Sequence, residues 1–69
     1  MKINLGENIK KLRLEHNLTQ ENLADFLGVS FQAVSKWERG ETLPDAEMII
    51  LIVKFFNVSS DYLLGIKDY

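Results

Sequence analysis

Apolar residues recur along the chain at intervals of three and four positions, the spacing of a helix that buries one face. The first such stripe is formed by Leu5, Ile9 and Leu12. No segment has the pattern of a convincing strand, and residues that start and stop helices divide the chain into successive helical segments. The sequence therefore predicts an all-α protein, with helices over residues 5–16, 20–27, 31–39, 46–56 and 60–64.

Residues suited to capping support these boundaries. Each predicted helix follows a side chain that can accept a hydrogen bond from the first turn, namely Asn4, Thr19, Ser30, Asp45 and Ser59. Glu7 has the position of the carboxylate in a capping box with Asn4. Gly28 and Gly40 end the second and third helices, so the stretch from Thr19 to Gly40 is predicted to be a helix-turn-helix.

Length and composition restrict the alternatives. A chain of 69 residues is predicted to form one domain, residues 1–69, with a single small core. It contains no cysteine, which excludes a disulfide framework and a thiolate metal site. No signal peptide is recognisable, and no apolar stretch reaches the roughly 20 residues that a membrane-spanning helix needs. We therefore expect a soluble, cytoplasmic protein.

The charge balance argues mildly against a nucleic-acid partner. The formal net charge is −2, whereas proteins that bind nucleic acids usually have a basic surface. The basic residues are nevertheless clustered, with Lys10, Lys11 and Arg13 on the first predicted helix and Lys36 and Arg39 on the third. One face of the domain can therefore be positive, and the electrostatic part of DNA binding should be modest.

The outward face of the third predicted helix carries side chains suited to reading base edges. Gln32 can form two hydrogen bonds with adenine, and Lys36, one turn further on, can donate to guanine O6 and N7. Phe31 and Ala33 are apolar and can meet a thymine methyl group. These four residues are the predicted base readers. The alternative is that this face is only a solvated polar surface.

Residues around that face are predicted to contact DNA phosphates. Gln20 begins the second helix, where its side chain and the unpaired amides of the first turn can meet a phosphate. The other candidates for phosphate contact are Ser30, Ser35, Arg39 and Thr42.

The inward face of the third predicted helix belongs to the core. Trp37 lies one turn after Val34 and is predicted to pack inside. Glu38 also points inward, and a buried carboxylate needs a cationic partner to offset its loss of hydration. Arg13 is the predicted partner.

No group of residues has the spacing of a catalytic or metal site. The single histidine, His16, lacks a cysteine or second histidine with which to complete a metal shell. No serine has a base spaced to activate it. We therefore predict a protein that is not an enzyme and needs neither a metal nor a cofactor.

The run LTQENLADFLGVSFQAVSKWERGETLPD resembles the helix-turn-helix of the phage-repressor, or Cro-like, family of bacterial and phage transcription regulators. Positions outside the run that also match the family pattern are Ile9, Leu12, Arg13, Val58, Ser59, Tyr62, Leu63, Leu64 and Gly65. The resemblance implies a compact five-helix domain that binds a pseudo-palindromic operator as a dimer. The residue roles it implies are base reading (Gln32, Lys36), phosphate contact (Gln20, Ser35) and an ion pair (Arg13, Glu38).

Two positions on the predicted DNA face depart from the family pattern. Phe31 replaces a residue that is usually polar or basic, so any contact there is expected to be apolar. Thr42 replaces a residue that is frequently basic, which weakens the expected grip on a phosphate. Leu14 and Phe26 also stand where charged residues are common.

The fourth predicted helix is more apolar than the folding of a monomer requires, because Ile50, Leu51 and Phe55 add to its buried stripe. In the family, the dimer contact commonly involves the later helices. We therefore predict that Leu51, Phe55 and Tyr62 pack against a second copy of the chain, a further carboxy-terminal domain or a protein partner. The alternative is that these side chains only thicken one small core.

The predicted function is sequence-specific binding of double-stranded DNA by a transcriptional regulator, with a repressor as the preferred role. The helix over residues 31–39 is predicted to read the major groove of a pseudo-palindromic operator. A homodimer is expected, at least on DNA. The alternative is a protein-interaction module, such as an antitoxin or an anti-repressor partner, that uses the apolar surface of the fourth helix. Whether the chain is a complete regulator or the amino-terminal domain of a longer one is left open.

Overall fold

A computed structural model of the protein describes residues 4–66. These residues form five helices and no strand, in the order α1 (Leu5–Glu15), α2 (Gln20–Leu27), α3 (Phe31–Glu38), α4 (Ala46–Phe56) and α5 (Ser60–Leu64). The predicted all-α class is confirmed, and every predicted helix is present. Two helices end one residue early, because His16 and Arg39 are the C-cap residues of α1 and α3.

Side-chain caps begin four of the five helices. The Asn22 backbone N–H donates to the Thr19 hydroxyl at 2.9 Å, and the Thr19 N–H donates to the Asn22 side-chain oxygen at 3.0 Å, which completes a capping box. Ser30, Asp45 and Ser59 each accept one bond from the first turn of α3, α4 and α5. Each cap stabilises its helix by about 1 kcal/mol.

The predicted cap of α1 is wrong. Asn4 makes no side-chain cap hydrogen bond, so the capping box expected with Glu7 does not form. The four working caps have an extended backbone with ψ between 154° and 176°, whereas Asn4 has ψ 35°. Its side chain instead lies against Gly65 at the end of α5.

The core lies where α1, α2 and α3 meet and is closed by α4 and α5. Its buried side chains are Leu5, Ile9, Leu12, Leu23, Ala24, Leu27, Val34, Trp37, Ile52, Phe56 and Leu63. Val34 and Trp37 supply the buried face of α3, as their spacing predicts. The helix that carries the candidate site is therefore anchored along one whole face.

Gly6 allows the backbone of α1 to approach the end of α3. A Cβ atom at this position would lie 2.0 Å from the Trp37 carbonyl oxygen, far inside van der Waals contact. Because the clashing atom belongs to the backbone, no rotamer change can relieve it. Gly6 was not identified from the sequence as a packing residue.

Asn8 attaches α5 to α1. Its side-chain amide donates to the Tyr62 carbonyl at 3.2 Å and to the Leu63 carbonyl at 3.0 Å. These carbonyls lie in the last turn of a helix, where acceptors lack partners within the helix itself. The short α5 is therefore held by a polar contact as well as by the buried Leu63.

The apolar helix α4 has one buried face and one exposed face. Ile52 and Phe56 are buried, while Ile50, Leu51 and Phe55 are exposed. The core thus leaves part of this helix uncovered. Among residues 4–66, no helix combines the length and the apolar character needed to cross a membrane.

Candidate nucleic-acid interface

The two faces of α3 have opposite environments. Val34 and Trp37 are buried, whereas Phe31, Gln32, Lys36 and Arg39 are exposed. We call these last four residues the reading face. A fixed helix that presents polar and basic side chains outward has the form of an element that enters a DNA groove.

The remaining predicted DNA contacts surround the reading face with different degrees of exposure. Ala33 and Ser35 are half-buried, and Ala33 packs against the core, so it is the least available of the predicted base readers. The Ser30 hydroxyl accepts from the Ala33 N–H at 3.3 Å. Its own proton still allows it to donate to a phosphate. Thr42 is exposed in the segment after α3.

A buried ion pair connects α1 to α3. Arg13 Nε donates to Glu38 Oε2 at 2.7 Å, and Arg13 Nη2 donates to Glu38 Oε1 at 3.0 Å. The two side chains are only 9% and 3% exposed. Arg13 Nη1 also donates to the Leu18 carbonyl at 2.8 Å, so the guanidinium is bonded on both of its edges. The structure thus contains the ion pair predicted from the inward position of Glu38.

Gln20 joins this pair from α2. Its side-chain amide donates to Glu38 Oε1 at 3.0 Å, so one carboxylate binds a residue of α1 and a residue of α2. We call Arg13, Glu38 and Gln20 the buried cluster. The second amide proton of Gln20 is available for another acceptor. The buried cluster therefore fixes the first residue of α2 at the edge of the proposed DNA surface.

A second, exposed cluster lies at the carboxyl end of the reading face. Arg39 donates from Nε to the Glu41 carboxylate and from Nη1 to the Ser35 hydroxyl. The hydrogen bond from Arg39 lowers the pKa of Glu41 below its ordinary value. The same bond raises the pKa of Arg39. Two residues predicted to grip phosphates are therefore bonded to each other, and one of them is also bonded to a carboxylate.

The residues predicted for an interface lie on α4 and α5. The Phe55 ring lies 5.0 Å from the Phe26 ring of α2, and Leu51 is exposed on the same helix as Phe55. We call Phe26, Leu51 and Phe55 the apolar patch. Tyr62 is half-buried and lines a groove of about 580 Å³ that neither Leu51 nor Phe55 lines. The predicted interface omitted Phe26. Its apolar side chain, at a position where the family commonly has a charged residue, was the sequence feature that could have indicated it.

His16 has structural partners. Its ring packs edge-on against Phe56 at 4.9 Å, and its Nδ1 lies 2.9 Å from the Leu12 carbonyl oxygen. Within residues 4–66, no three His, Cys, Asp or Glu side chains are grouped so that they could hold a metal ion.

Comparisons with known proteins agree with this geometry. A family model described as helix-turn-helix matches residues 9–63. The chain is 48% identical over 60 residues to the HTH-type transcriptional activator BcrR of Enterococcus faecalis. The matched segment covers 87% of this chain and 29% of BcrR. The chain is also 39% identical over 61 residues to the antitoxin PezA of Streptococcus pneumoniae. That match covers 88% of this chain and 39% of PezA. The chain thus spans less than half of either relative.

A solved structure of similar fold contains DNA. The P22 c2 repressor protein in complex with a synthetic operator matches with a TM-score of 0.82 and 40% sequence identity. The match covers 87% of this chain and 91% of that chain.

Proposed function

Because the chain belongs to the helix-turn-helix family, we propose that it is a transcriptional regulator that binds double-stranded DNA at a specific operator. The observation that carries this proposal is the exposed reading face on a helix whose opposite face is buried. The structural similarity to a repressor bound to a synthetic operator supports it. In the complex, α3 lies in the major groove, where each base pair presents its own pattern of donors and acceptors.

Base reading is assigned to the amino-terminal and middle parts of α3. Gln32 pairs with adenine, Lys36 donates to guanine, and Phe31 meets a thymine methyl group. Ala33 presents only part of its methyl group, because it is half-buried. The exposure of the three larger side chains supports this assignment.

Phosphate contacts are assigned to the residues around the reading face. Gln20 uses its second amide proton, and its orientation by Glu38 supports this role. Contacts from the reading helix and the adjoining segments are assigned to Ser30, Ser35, Arg39 and Thr42.

The proposed bound state is a homodimer. The recognition helices of a dimer are about 34 Å apart, one turn of the duplex. The domain measures 28 × 23 × 21 Å, which is slightly less than this spacing. Two copies that bind the same face of the duplex, one turn apart, would therefore lie side by side. The apolar patch supplies a surface that such a neighbour can cover. The half-buried Tyr62 of α5 is proposed to take part in the same contact.

The chain regulates by occupying DNA and performs no chemistry, and it acts in the cytoplasm, where a bacterial or phage operator is accessible. We propose repression as the outcome of that occupancy. A relative named as an activator shares 48% identity with the chain, so a promoter-fusion assay must establish the direction of regulation.

Selection of bound sequences from a random DNA pool tests the proposed function. The expected result is an enriched pseudo-palindrome whose half-sites are one duplex turn apart, which would give the operator and the dimer in one measurement. Recovery of sequences with no common motif would contradict sequence-specific binding.

Substitutions on the reading face test the residue assignments. Gln32→Ala and Lys36→Ala are each expected to lose about 1–3 kcal/mol of binding free energy at the selected operator and to relax the preference at one base pair. Lys54→Ala is the matched control, because Lys54 is an exposed cation on α4. Equal losses on the operator and on a shuffled duplex would rule out base reading by that residue.

The alternative function is a protein-interaction module that uses the apolar patch. The exposure of Phe26 and its contact with Phe55 favour this alternative, as does the similarity to a protein named as an antitoxin. Titration against mixed-sequence DNA over a range of salt concentrations separates the two functions. Phosphate binding gives an affinity that falls steeply with salt, because counterions are released from the duplex. An absence of salt-dependent DNA binding would favour the protein-interaction module.

A further inference from the structure

An exposed carboxylate is bonded to a cation at the end of the reading face. Arg39 binds Glu41 and Ser35, and its side chain is 55% exposed while that of Glu41 is 53% exposed. A carboxylate cannot favour contact with a phosphate, because the two groups have the same charge. Glu41 therefore binds a cation that DNA binding would use. Glu41 cannot itself contact a phosphate in place of Arg39.

The turn after α3 holds Glu41 near Arg39. Gly40 has a left-handed backbone with φ +76°, and its N–H donates to the Trp37 carbonyl at 3.1 Å. The Glu41 N–H donates to the Lys36 carbonyl at 2.9 Å. These two bonds form a Schellman motif, which folds the chain back onto the last turn of a helix. The backbone thus fixes the place from which the Glu41 side chain reaches Arg39.

Two cations of the reading face act on the Glu41 carboxylate. The hydrogen bond from Arg39 is the main cause of the lowered pKa of Glu41, and the nearby charge of Lys36 lowers that pKa further. Glu41 is therefore ionised at neutral pH. Its negative charge lies close to the residue assigned to guanine and to the residue assigned to a phosphate.

We propose that Glu41 is an intramolecular competitor of the DNA backbone for Arg39. In the free protein its carboxylate takes the place of a phosphate, and DNA binding requires Arg39 to exchange one anion for the other. This inference rests on the proposed function, because it requires Arg39 to contact a phosphate in the complex. The competition weakens the sequence-independent part of binding, so the base contacts decide a larger share of the affinity.

A double-mutant cycle tests the competition. The wild type, Glu41→Gln, Arg39→Gln and the double variant are titrated by fluorescence anisotropy with a short mixed-sequence duplex at one salt concentration. Glu41→Gln is expected to raise the affinity about threefold when Arg39 is present, in keeping with the strength of exposed ion pairs. In the Arg39→Gln background the gain is expected to be clearly smaller, because only general repulsion between Glu41 and DNA remains.

Glu15→Gln provides the matched control. It makes the same change in net charge at the carboxyl end of α1, where Glu15 lines the groove beside His16. Equal gains from Glu41→Gln in both Arg39 backgrounds would overturn the inference, and so would a gain from Glu15→Gln as large as that from Glu41→Gln. Binding by the wild type without any gain from Glu41→Gln would overturn the inference alone. Absence of DNA binding by all four proteins of the cycle would instead overturn the proposed function on which it rests.

Discussion

Two arginine–glutamate pairs of the same chemistry lie in opposite surroundings in this small domain. Arg13 and Glu38 are 9% and 3% exposed, and Gln20 and the Leu18 carbonyl complete their hydrogen bonds. Arg39 and Glu41 are 55% and 53% exposed and lie on the surface proposed to meet DNA. The contrast indicates that burial determines whether such a pair maintains the fold or remains available for exchange.

The physical reason is the cost of losing one partner. A buried ion left without its partner keeps its desolvation penalty, whereas water solvates an exposed ion at once. No buried side-chain nitrogen or oxygen in the described part of the chain lacks a hydrogen-bond partner, so every buried polar atom of the buried cluster has at least one. Disruption of the buried pair should therefore affect folding, and disruption of the exposed pair should affect binding.

The largest expected effect comes from Glu38→Ala. It leaves the Arg13 charge buried without its carboxylate and is expected to cost about 3–5 kcal/mol of unfolding free energy. A small domain has a total stability on the order of 5 kcal/mol, so the variant should keep at most about 2 kcal/mol of it and be partly unfolded at room temperature. Urea titration followed by circular dichroism measures this effect. Glu41→Ala is the matched control and should leave the urea midpoint unchanged.

Replacement of the whole buried pair sharpens the same test. Arg13→Met combined with Glu38→Leu removes both charges and should recover much of the stability that Glu38→Ala loses. If the double variant were as unstable as Glu38→Ala, an unpaired charge could not be the cause of the loss.

The next largest effect is expected from Gly6→Ala in the same contact between α1 and α3. The added methyl group would overlap the Trp37 carbonyl oxygen, and relief requires a backbone shift. We expect a loss of about 1–3 kcal/mol, despite the better helix propensity of alanine. Lys10→Ala, on the exposed face of α1, is the control and should show no comparable loss. A Gly6→Ala protein as stable as the wild type would contradict the close approach.

The features that the sequence predicts are local in the chain. Helix positions follow from apolar spacing, and the caps Thr19, Ser30, Asp45 and Ser59 follow from the residues next to each helix. Asn4 has a suitable side chain for the same role, but contact with the end of α5 gives it a different environment. Local pattern therefore fails at a predicted cap that lies against a distant segment of the chain.

The features that were missed depend on contacts between distant segments or on the path of a turn. The role of Gly6 requires the Trp37 carbonyl, and that of Asn8 requires the last turn of α5. Glu41 reaches Arg39 only through the Schellman motif at Gly40. A glycine inside an apolar helical pattern was the one available signal for a close approach. The Arg13–Glu38 pair could be predicted because a buried carboxylate requires a cation, and Arg13 lies one residue past Leu12 of the apolar stripe.

The side-chain N–H signals of the two arginines provide the most direct test of the contrast between the two pairs. A ¹⁵N-labelled sample is titrated with the selected operator duplex and followed by two-dimensional NMR. We predict that the Arg39 Nε–H signal and the α3 backbone amides shift, while the Arg13 Nε–H signal stays in place. Shifts confined to α4 and the apolar patch, with the Arg39 signal unchanged, would contradict DNA binding through the reading face.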